Sequence, residues 1–143
     1  MSQRTIRTII EQQDLVTASA KTTISEAARL MKQHHVGAIM VVEDGNLVGI
    51  FTERDGLFRV LAEGRDGQTT LEDVMTRNPM TIHPDRSFAE ALHMMYGGSF
   101  RHVPVVEDGR PIGMVSARDA LGPELEAFVY ELLRQEQVED ILA

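Results

Sequence analysis

The chain repeats itself, and this constrains its fold more than any other feature of the sequence. When the sequence is displaced by 64 residues, Val41–Gly45 falls on Val105–Gly109, and 13 of the 42 positions from Val16 to Leu57 carry an identical residue. Chance would give roughly two or three identities at average residue frequencies. The two halves are therefore copies of one unit. Each copy is short for an independent domain, so we expect the two copies to share one core.

Both copies show the same order of predicted elements, β-α-β-β-α. Thr23-Ile24-Ser25-Glu26 and Ser87-Phe88-Ala89-Glu90 fit capping boxes, which predict where the first helix of each copy begins. Apolar runs on both sides of Asp44-Gly45 and of Asp108-Gly109 predict two hairpins. A short extended segment should precede the first helix of each copy, at Leu15–Ala18 and at Pro79–His83. A second helix should follow each hairpin, beginning near Thr52 and near Ser116. We therefore predict an α/β (α+β) fold with two such repeats.

Three segments lie outside the two copies. Ile6, Ile9 and Ile10 have helical spacing and predict an N-terminal helix within residues 1–13. Gly122-Pro123 predicts the start of a C-terminal helix over residues 123–143. Its apolar face should consist of Leu125, Phe128, Val129, Leu132 and Leu133. Between these two helices we predict a first repeat at residues 14–61, a linker at 62–73 and a second repeat at 74–122.

Composition and charge argue against several classes of protein. The net charge of −8 argues against binding to nucleic acid or anionic lipid, and no apolar run approaches the roughly 18 to 20 residues that span a bilayer. The absence of cysteine removes disulfides, thiolate zinc sites and cysteine nucleophiles. The histidine spacing does not indicate a metal site, and no nucleophile–base pattern indicates an enzyme. We expect a cytoplasmic, non-enzymatic protein that requires no cofactor.

The motif that carries chemistry is Gly49-Ile50-Phe51-Thr52-Glu53-Arg54-Asp55, which returns as Gly113-Met114-Val115-Ser116-Ala117-Arg118-Asp119. The start of a helix offers unpaired backbone N–H groups and a positive dipole end, which suit an anion. A carboxylate can accept hydrogen bonds from the two hydroxyls of a ribose, and an arginine can pair with phosphate oxygens. The motif therefore indicates a nucleotide site.

A second interpretation needs no ligand. Thr-x-x-Asp and Ser-x-x-Asp are also capping boxes, in which the hydroxyl and the carboxylate satisfy backbone groups at a helix start. Capping alone does not require arginine in both copies, nor glycine at the start of both motifs. Both interpretations remain open on spacing alone.

The repeat, the element order and the two Gly-x-x-[Thr/Ser]-x-Arg-Asp endings resemble a tandem pair of CBS (cystathionine β-synthase) domains, known as the Bateman module. Val74–Thr81 resembles the family's lead-in to a copy, and Arg101–Val106 resembles its middle strand. The resemblance covers Asp14–Leu121. It implies a pseudo-twofold module with two clefts between the copies, which commonly binds adenosine nucleotides and regulates an attached or separate partner.

The resemblance also implies which residues line each cleft. In the first cleft, Asp119 would hold the ribose, Ser116 and Arg118 the phosphate, and backbone near Val16 and Ala38 the base edge. That cleft would consist of Val16, Gly37, Ala38, Met114, Ser116, Arg118 and Asp119. In the second cleft, Asp55 would hold the ribose, and Thr52 and Arg54 the phosphate. That cleft would consist of Met80, Arg101, His102, Ile50, Thr52, Arg54 and Asp55.

The two clefts are not equivalent in sequence. Arg101-His102 stands in the second cleft where the first has Gly37-Ala38, so the second cleft should prefer more highly phosphorylated ligands. The lead-in Glu11–Leu15 lacks the Met-Thr and Pro of the second copy, which puts occupancy of the first cleft in doubt.

The leading hypothesis is a stand-alone sensor that binds AMP, ADP, ATP or NAD(H) and relays occupancy by a change of shape. The alternative is a ligand-free interaction or scaffold protein whose motifs are only helix caps. We further expect a homodimer, with the apolar stripe from Leu125 to Leu133 suited to self-association and an effector protein as a possible target.

Overall fold

Two β-hairpins related by the sequence repeat dominate the computed structural model, which describes residues 4–142 except for the side chains at 138–140 and 142. The strands are β1 (Thr17–Ala18), β2 (Ala38–Glu43), β3 (Asn46–Thr52), β4 (Thr76–Arg77), β5 (His102–Glu107) and β6 (Arg110–Ser116). The helices are α1 (Ile6–Ile10), α2 (Ile24–His34), α3 (Glu53–Asp55), α4 (Leu71–Val74), α5 (Phe88–Gly98) and α6 (Gly122–Leu142). A π-helical segment (Gly56–Leu61) continues α3, and a 3₁₀ turn (Ala117–Asp119) follows β6.

Both predicted hairpins are confirmed. In each, a two-residue Asp-Gly loop has positive φ at both positions, 52° and 81° at Asp44 and Gly45 and 55° and 81° at Asp108 and Gly109. This is the turn whose twist matches antiparallel strands, and glycine adopts it without strain. β2 and β3 lie in a four-stranded sheet of order β1-β2-β3-β4, whereas β5 and β6 form a two-stranded sheet.

The first helix of each repeat begins where the sequence predicts. The hydroxyl of Thr23 accepts a hydrogen bond from the Glu26 N–H at the start of α2, and the hydroxyl of Ser87 does the same for Glu90 at the start of α5. Such caps satisfy backbone donors that a helix leaves free at its first turn. Each helix buries one face against its own hairpin, which yields one core cluster per repeat.

The two short helices α1 and α4 each precede one repeat but pack on the other. Ile6 and Ile10 of α1 are buried with Phe88 in the core of the second repeat. Leu71 and Val74 of α4 are buried in the core of the first repeat. We call α1 and α4 the lead-in helices. Because each core is completed by residues that precede the other repeat, the two copies depend on each other for burial.

Equivalent backbone contacts fix this exchange on both sides. The contacts are Ile6 N–H to Arg86 carbonyl (2.9 Å), Leu71 N–H to Thr22 carbonyl (2.9 Å), and the isolated bridges Thr5 with Ser87 and Thr23 with Thr70. The exchange therefore follows the pseudo-symmetry of the repeat.

The exchange explains the glycine that opens both chemistry-bearing motifs. A Cβ on Gly113 would meet Ile10 of α1 at 2.6 Å, and a Cβ on Gly49 would meet Met75, just after α4, at 2.5 Å. Carbon atoms in contact normally lie about 3.5 to 4.0 Å apart. Glycine leaves room for these residues, because α1 crosses β6 at Gly113 and the residue after α4 crosses β3 at Gly49.

Several predicted elements differ in the structure. Pro79–His83 forms no strand and contributes one parallel bridge, from Ile82 to Val105. A single 3₁₀ turn follows Ser116, because Ala120 returns to an extended conformation before α6 begins. The N-terminal helix is limited to Ile6–Ile10, and residues 1–3 lie outside the described part of the chain, as does Ala143 at the other end. The end of the predicted linker is helical, as α4.

The C-terminal helix forms as predicted, but its apolar face is divided. Phe128 packs edge-on against His93 and Tyr96 of α5, with ring centroids 4.9 and 5.9 Å away. Leu125 and Val129 remain about half exposed on the other side. Across residues 4–142, no helix combines the length and hydrophobicity needed to cross a bilayer.

Candidate ligand-binding clefts

The first cleft is a cavity of about 510 Å³ between the two repeats. The lead-in to β1 and the start of β2 form one wall, and the end of β6 with the 3₁₀ turn forms the other. All seven residues that the sequence assigns to this cleft line it, namely Val16, Gly37, Ala38, Met114, Ser116, Arg118 and Asp119. The structure brings these residues together, while their role in binding stays a prediction.

The second cleft is a cavity of about 580 Å³ at the pseudo-equivalent position. The end of β3 and α3 form one wall, and the segment after β4 with the start of β5 forms the other. All seven residues predicted for it line it, namely Ile50, Thr52, Arg54, Asp55, Met80, Arg101 and His102. Met80 is 56% exposed, so it forms the rim rather than the floor.

The aspartates that are predicted to hold ribose also cap their helical turns. Asp119 Oδ2 accepts from the Ser116 N–H at 2.7 Å, and Asp55 Oδ2 accepts from the Thr52 N–H at 2.9 Å. Both motifs therefore form the capping boxes that their spacing predicts. Each carboxylate has a second oxygen, so capping and ligand binding are compatible at both positions.

The second oxygens of the two aspartates differ in their surroundings. Among the described residues, Asp119 Oδ1 has no hydrogen-bond partner, whereas Asp55 Oδ1 lies 3.5 Å from the Arg59 Nε. Arg59 also donates to the backbone carbonyl of Val74 at 3.2 Å. The carboxylate oxygen predicted to accept from ribose is thus open at Asp119, whereas at Asp55 it lies beside an arginine.

The charged side chains of the two clefts also differ. The first cleft is lined by one arginine, Arg118, and two carboxylates, Asp14 and Asp119. The second cleft has three arginines, Arg54, Arg59 and Arg101, and two carboxylates, Glu53 and Asp55. The second cleft is therefore the more basic of the two, as the sequence predicts, and its preference among ligands stays a prediction.

Gln13 replaces a strand at the edge of the first cleft. In the first repeat, Ile50 pairs with Thr76 of β4. In the second repeat the equivalent partner of Met114 is a side chain, since the Gln13 amide donates to the Met114 carbonyl at 2.6 Å and accepts from its N–H at 3.0 Å. The departure of the first lead-in from the family pattern is therefore compensated by one residue, and the cleft forms.

Arg4 ties the 3₁₀ turn of the first cleft to the C-terminal helix. Its guanidinium donates to the Asp119 carbonyl at 2.7 Å and to the Glu124 carboxylate of α6 at 2.7 Å. Burial works to raise the pKa of Glu124, but hydrogen bonds from Arg4 and the Leu121 N–H outweigh it and leave that pKa below its ordinary value. Glu124 therefore stays ionised and holds Arg4 beside the cleft.

His102 belongs to both clefts. It lines the first cleft together with Arg118 and Asp119, and it lines the second together with Arg54 and Arg101. Burial lowers the pKa of His102 below its ordinary value, while Glu53 acts in the opposite direction. The imidazole is therefore neutral near pH 7 in the unliganded protein.

Sequence reasoning missed part of the lining of each cleft. His34 and His35 line the first cleft, because His35 ends α2 in a left-handed conformation and turns the chain toward Gly37. Glu53 and Arg59 line the second cleft. Arg59 carries a signal in hindsight, since it lies four residues after Asp55, a spacing that places both on one helical face.

One group of potential metal ligands lies away from the clefts. His83, Asp85 and Glu107 bring ligand atoms within 4.8 Å of one another on the surface of the second repeat. Arg7 of α1 already contacts Asp85 and Glu107, each at 3.0 Å. The Arg7 guanidinium occupies the position that a metal ion would take, so these carboxylates hold α1 on the second repeat.

Comparison with known proteins agrees with the repeat. The family model of the CBS domain matches the chain twice, at residues 6–61 and 71–123. The chain is 43% identical over 105 residues to the CBS domain-containing protein YhcV of Bacillus subtilis, a match that covers 73% of this chain and 75% of YhcV. It is 37% identical over 115 residues to the mitochondrial CBS domain-containing protein CBSX3 of Arabidopsis thaliana, covering 76% of this chain and 54% of CBSX3.

Solved structures share the fold. The CBS domain pair of protein MJ0100, in complex with 5′-methylthioadenosine and S-adenosyl-L-methionine, superimposes with a TM-score of 0.75 at 31% identity, covering 82% of this chain and 93% of that one. The CBS domain protein PAE2072 from Pyrobaculum aerophilum, complexed with AMP, superimposes with a TM-score of 0.79 at 22% identity, covering 88% and 98%. The chain therefore belongs to the CBS domain family and carries two CBS domains in tandem.

Proposed function

We propose that this protein is a regulatory module that binds adenosine nucleotides in the two clefts between its CBS domains. One observation carries the proposal: two clefts of about 510 and 580 Å³ each collect a carboxylate, a hydroxyl, an arginine and an apolar rim. Pockets for small ligands commonly measure about 300 to 1,000 Å³. The adenosine compounds bound to PAE2072 and MJ0100 support the same ligand class.

Each cleft offers a partner for every part of a nucleotide. In the first cleft, Asp119 Oδ1 can accept from the ribose hydroxyls, Ser116 and Arg118 can bind the phosphate, and the backbone at Val16 and Ala38 can read the base edge. In the second cleft, Asp55, Thr52 and Arg54 would fill the corresponding roles. Met114 and Met80 would supply apolar contact to the purine ring, since methionine adapts to irregular surfaces.

A regulatory output requires a change of shape that the ligand favours. A ligand shifts an equilibrium only by its difference in affinity for the two states. The clefts lie between the repeats, and Arg4 connects the wall of the first cleft to α6. Occupancy would therefore act on the angle between the repeats and on the start of the C-terminal helix.

Thermal melting against AMP, ADP, ATP, NAD(H) and S-adenosylmethionine tests the proposal. A ligand at 100 times its dissociation constant adds about 2.7 kcal/mol to the free energy of unfolding, which for a chain of this size raises Tm by several degrees. Guanosine at equal concentration is the control. The proposal fails if no adenosine compound raises the Tm above the control.

A ligand-free scaffold is the second candidate, and the two capping boxes favour it. If Asp55 and Asp119 serve only as caps, replacing either with alanine lowers stability by about 1 kcal/mol and changes no ligand response. The melting panel separates the candidates, because only the sensor gains stability from adenosine compounds.

We also propose that two copies associate through one apolar face. Leu57 and Leu61 of the π-helical segment are 53% and 71% exposed, and Leu121 and Leu125, their equivalents in the repeat, are 54% and 49% exposed. Val129 on α6 extends this face. Exposed apolar patches of this kind commonly mark protein interfaces. Light scattering at micromolar concentration should give twice 16.0 kDa; a 16.0 kDa particle contradicts the dimer, and Leu125→Glu should produce that particle.

A further inference from the structure

One half-buried histidine stands in the wall that the two clefts share. Of the described residues, His102 alone lines both cavities. It opens β5 and pairs with Ser116 of β6, so its backbone is fixed by the sheet. An anion in either cleft would therefore approach the same imidazole.

With no side chain at Gly37, this imidazole and a carboxylate both approach the space that a Cβ there would occupy. A Cβ on Gly37 would lie 3.1 Å from Glu53 Oε1 and 3.6 Å from His102 Nε2. The Glu53 N–H also donates to the Gly37 carbonyl at 2.9 Å, which fixes the start of α3 against β2. Glu53 and His102 thus converge on one point between the clefts.

The charged groups around His102 are of both signs. Carboxylates on α3 and on the 3₁₀ turn favour the imidazolium, while burial and two arginines oppose it. These groups are Glu53 and Asp119 on one side and Arg101 and Arg118 on the other. His34 and His35, at the end of α2, face the same first cleft. A negative charge added by a ligand would act in the same direction as Glu53 and Asp119 and favour the imidazolium.

We propose that His102 is a shared proton-binding residue: an anionic ligand in either cleft gains a positively charged partner there, and occupancy of one cleft thereby favours an anion in the other. The inference rests on the proposed nucleotide function and adds its linkage to protons. An anion near the imidazole stabilises the charged form. The protein then takes up a proton as it binds, and the imidazolium that forms also faces the second cleft.

Linkage gives the sign of the pH effect. If the bound state holds more protons than the free state, affinity rises as pH falls. For one proton the rise is at most tenfold per pH unit, which corresponds to ∼1.4 kcal/mol of binding free energy. The phosphate of AMP also titrates, with a pKa of about 6. Free AMP titrates identically in both experiments, so the difference between wild type and variant arises in the bound state, from His102 and its effect on the phosphate beside it.

Calorimetry of AMP binding in two buffers of different ionisation enthalpy measures the proton uptake directly. Wild type should take up more protons per AMP than His102→Gln near neutral pH, and the excess should vanish with adenosine, which lacks the anion. His83→Gln is the matched control, since His83 lies outside both clefts, and it should behave as wild type.

Blocking one cleft at a time tests whether the residue is shared. Asp119→Asn disables the diol acceptor of the first cleft, and Asp55→Asn that of the second. Uptake that depends on His102 should persist in both backgrounds. Uptake confined to one background overturns the sharing, and equal uptake by wild type and His102→Gln overturns the inference while leaving nucleotide binding intact. Absence of AMP and adenosine binding to wild type contradicts the proposed function itself.

Discussion

Replacing Gly113 with alanine should lower the free energy of unfolding by about 1 to 3 kcal/mol, the usual range for overpacking a core. The added methyl group would lie 2.6 Å from Ile10 Cγ2 and 2.7 Å from Ile10 Cβ. The second contact involves the atom next to the backbone, so rotation of the Ile10 side chain does not relieve it and α1 must shift. Urea denaturation with a fixed m-value measures the change.

Two further variants show whether the effect is the contact with α1. Gly97→Ala is the control, because a methyl group there meets open space within α5 and should stabilise the helix by up to about 1 kcal/mol. Ile10→Ala alone should cost about 2 to 5 kcal/mol. In the double variant Ile10→Ala with Gly113→Ala, the contact with Ile10 Cγ2 is removed while the contact with Cβ remains, so the total loss should be smaller than the sum of the two separate losses. Additive losses would contradict the exchanged packing of α1.

Asp119→Asn should weaken nucleotide binding at the first cleft by roughly tenfold to hundredfold, because hydrogen bonds to a charged acceptor contribute about 1.5 to 3 kcal/mol. Asparagine keeps one oxygen for the Ser116 N–H, so the cap and the fold should survive. Asp119→Ala removes the cap as well and should also lower stability by about 1 kcal/mol. Isothermal titration with AMP, together with a melt of each variant, separates the two effects.

Asp55→Asn is the matched variant for the second cleft. Because Asp119→Asn weakens the first cleft and Asp55→Asn the second, titration of each variant with adenosine, AMP and ATP reports mainly on the cleft left intact. The cleft that contains Arg54, Arg59 and Arg101 should gain more affinity per added phosphate. Equal phosphate preference in both variants would contradict this difference, and unchanged AMP affinity in both would show that the aspartates act only as caps.

The sequence predicts most of the fold because the determinants are local. Asp44-Gly45 and Asp108-Gly109 specify their turns through backbone conformations that few residues tolerate, and Thr23 and Ser87 fix helix starts through hydrogen bonds within four residues. The periodicity of the apolar residues then assigns buried faces. Each of these signals is complete within one short window of sequence.

The parts that sequence did not predict depend on distant contacts. The exchange of α1 and α4 buries Ile6 and Leu71 in the core of the other repeat, through contacts that no local pattern encodes. Capping does not explain the glycine at the start of each motif; the reason is the close approach of Ile10 to Gly113 and of Met75 to Gly49.

The residues that line the clefts were likewise predicted only in part. The fourteen predicted residues surround two clefts because the resemblance to the family supplied long-range pairing that spacing cannot. Gln13 was not predicted, since a side chain that imitates a strand has no sequence signature. Arg59 was not predicted because its importance arises from one oxygen of Asp55.

A crystal structure of the protein grown with AMP tests the central claim most directly. The account predicts density for adenosine in at least one cleft between the repeats, with the ribose hydroxyls within hydrogen-bond distance of Asp119 Oδ1 or Asp55 Oδ1. Clefts that remain empty at saturating AMP, or a nucleotide bound elsewhere with both carboxylates engaged only by the protein's own groups, would contradict it.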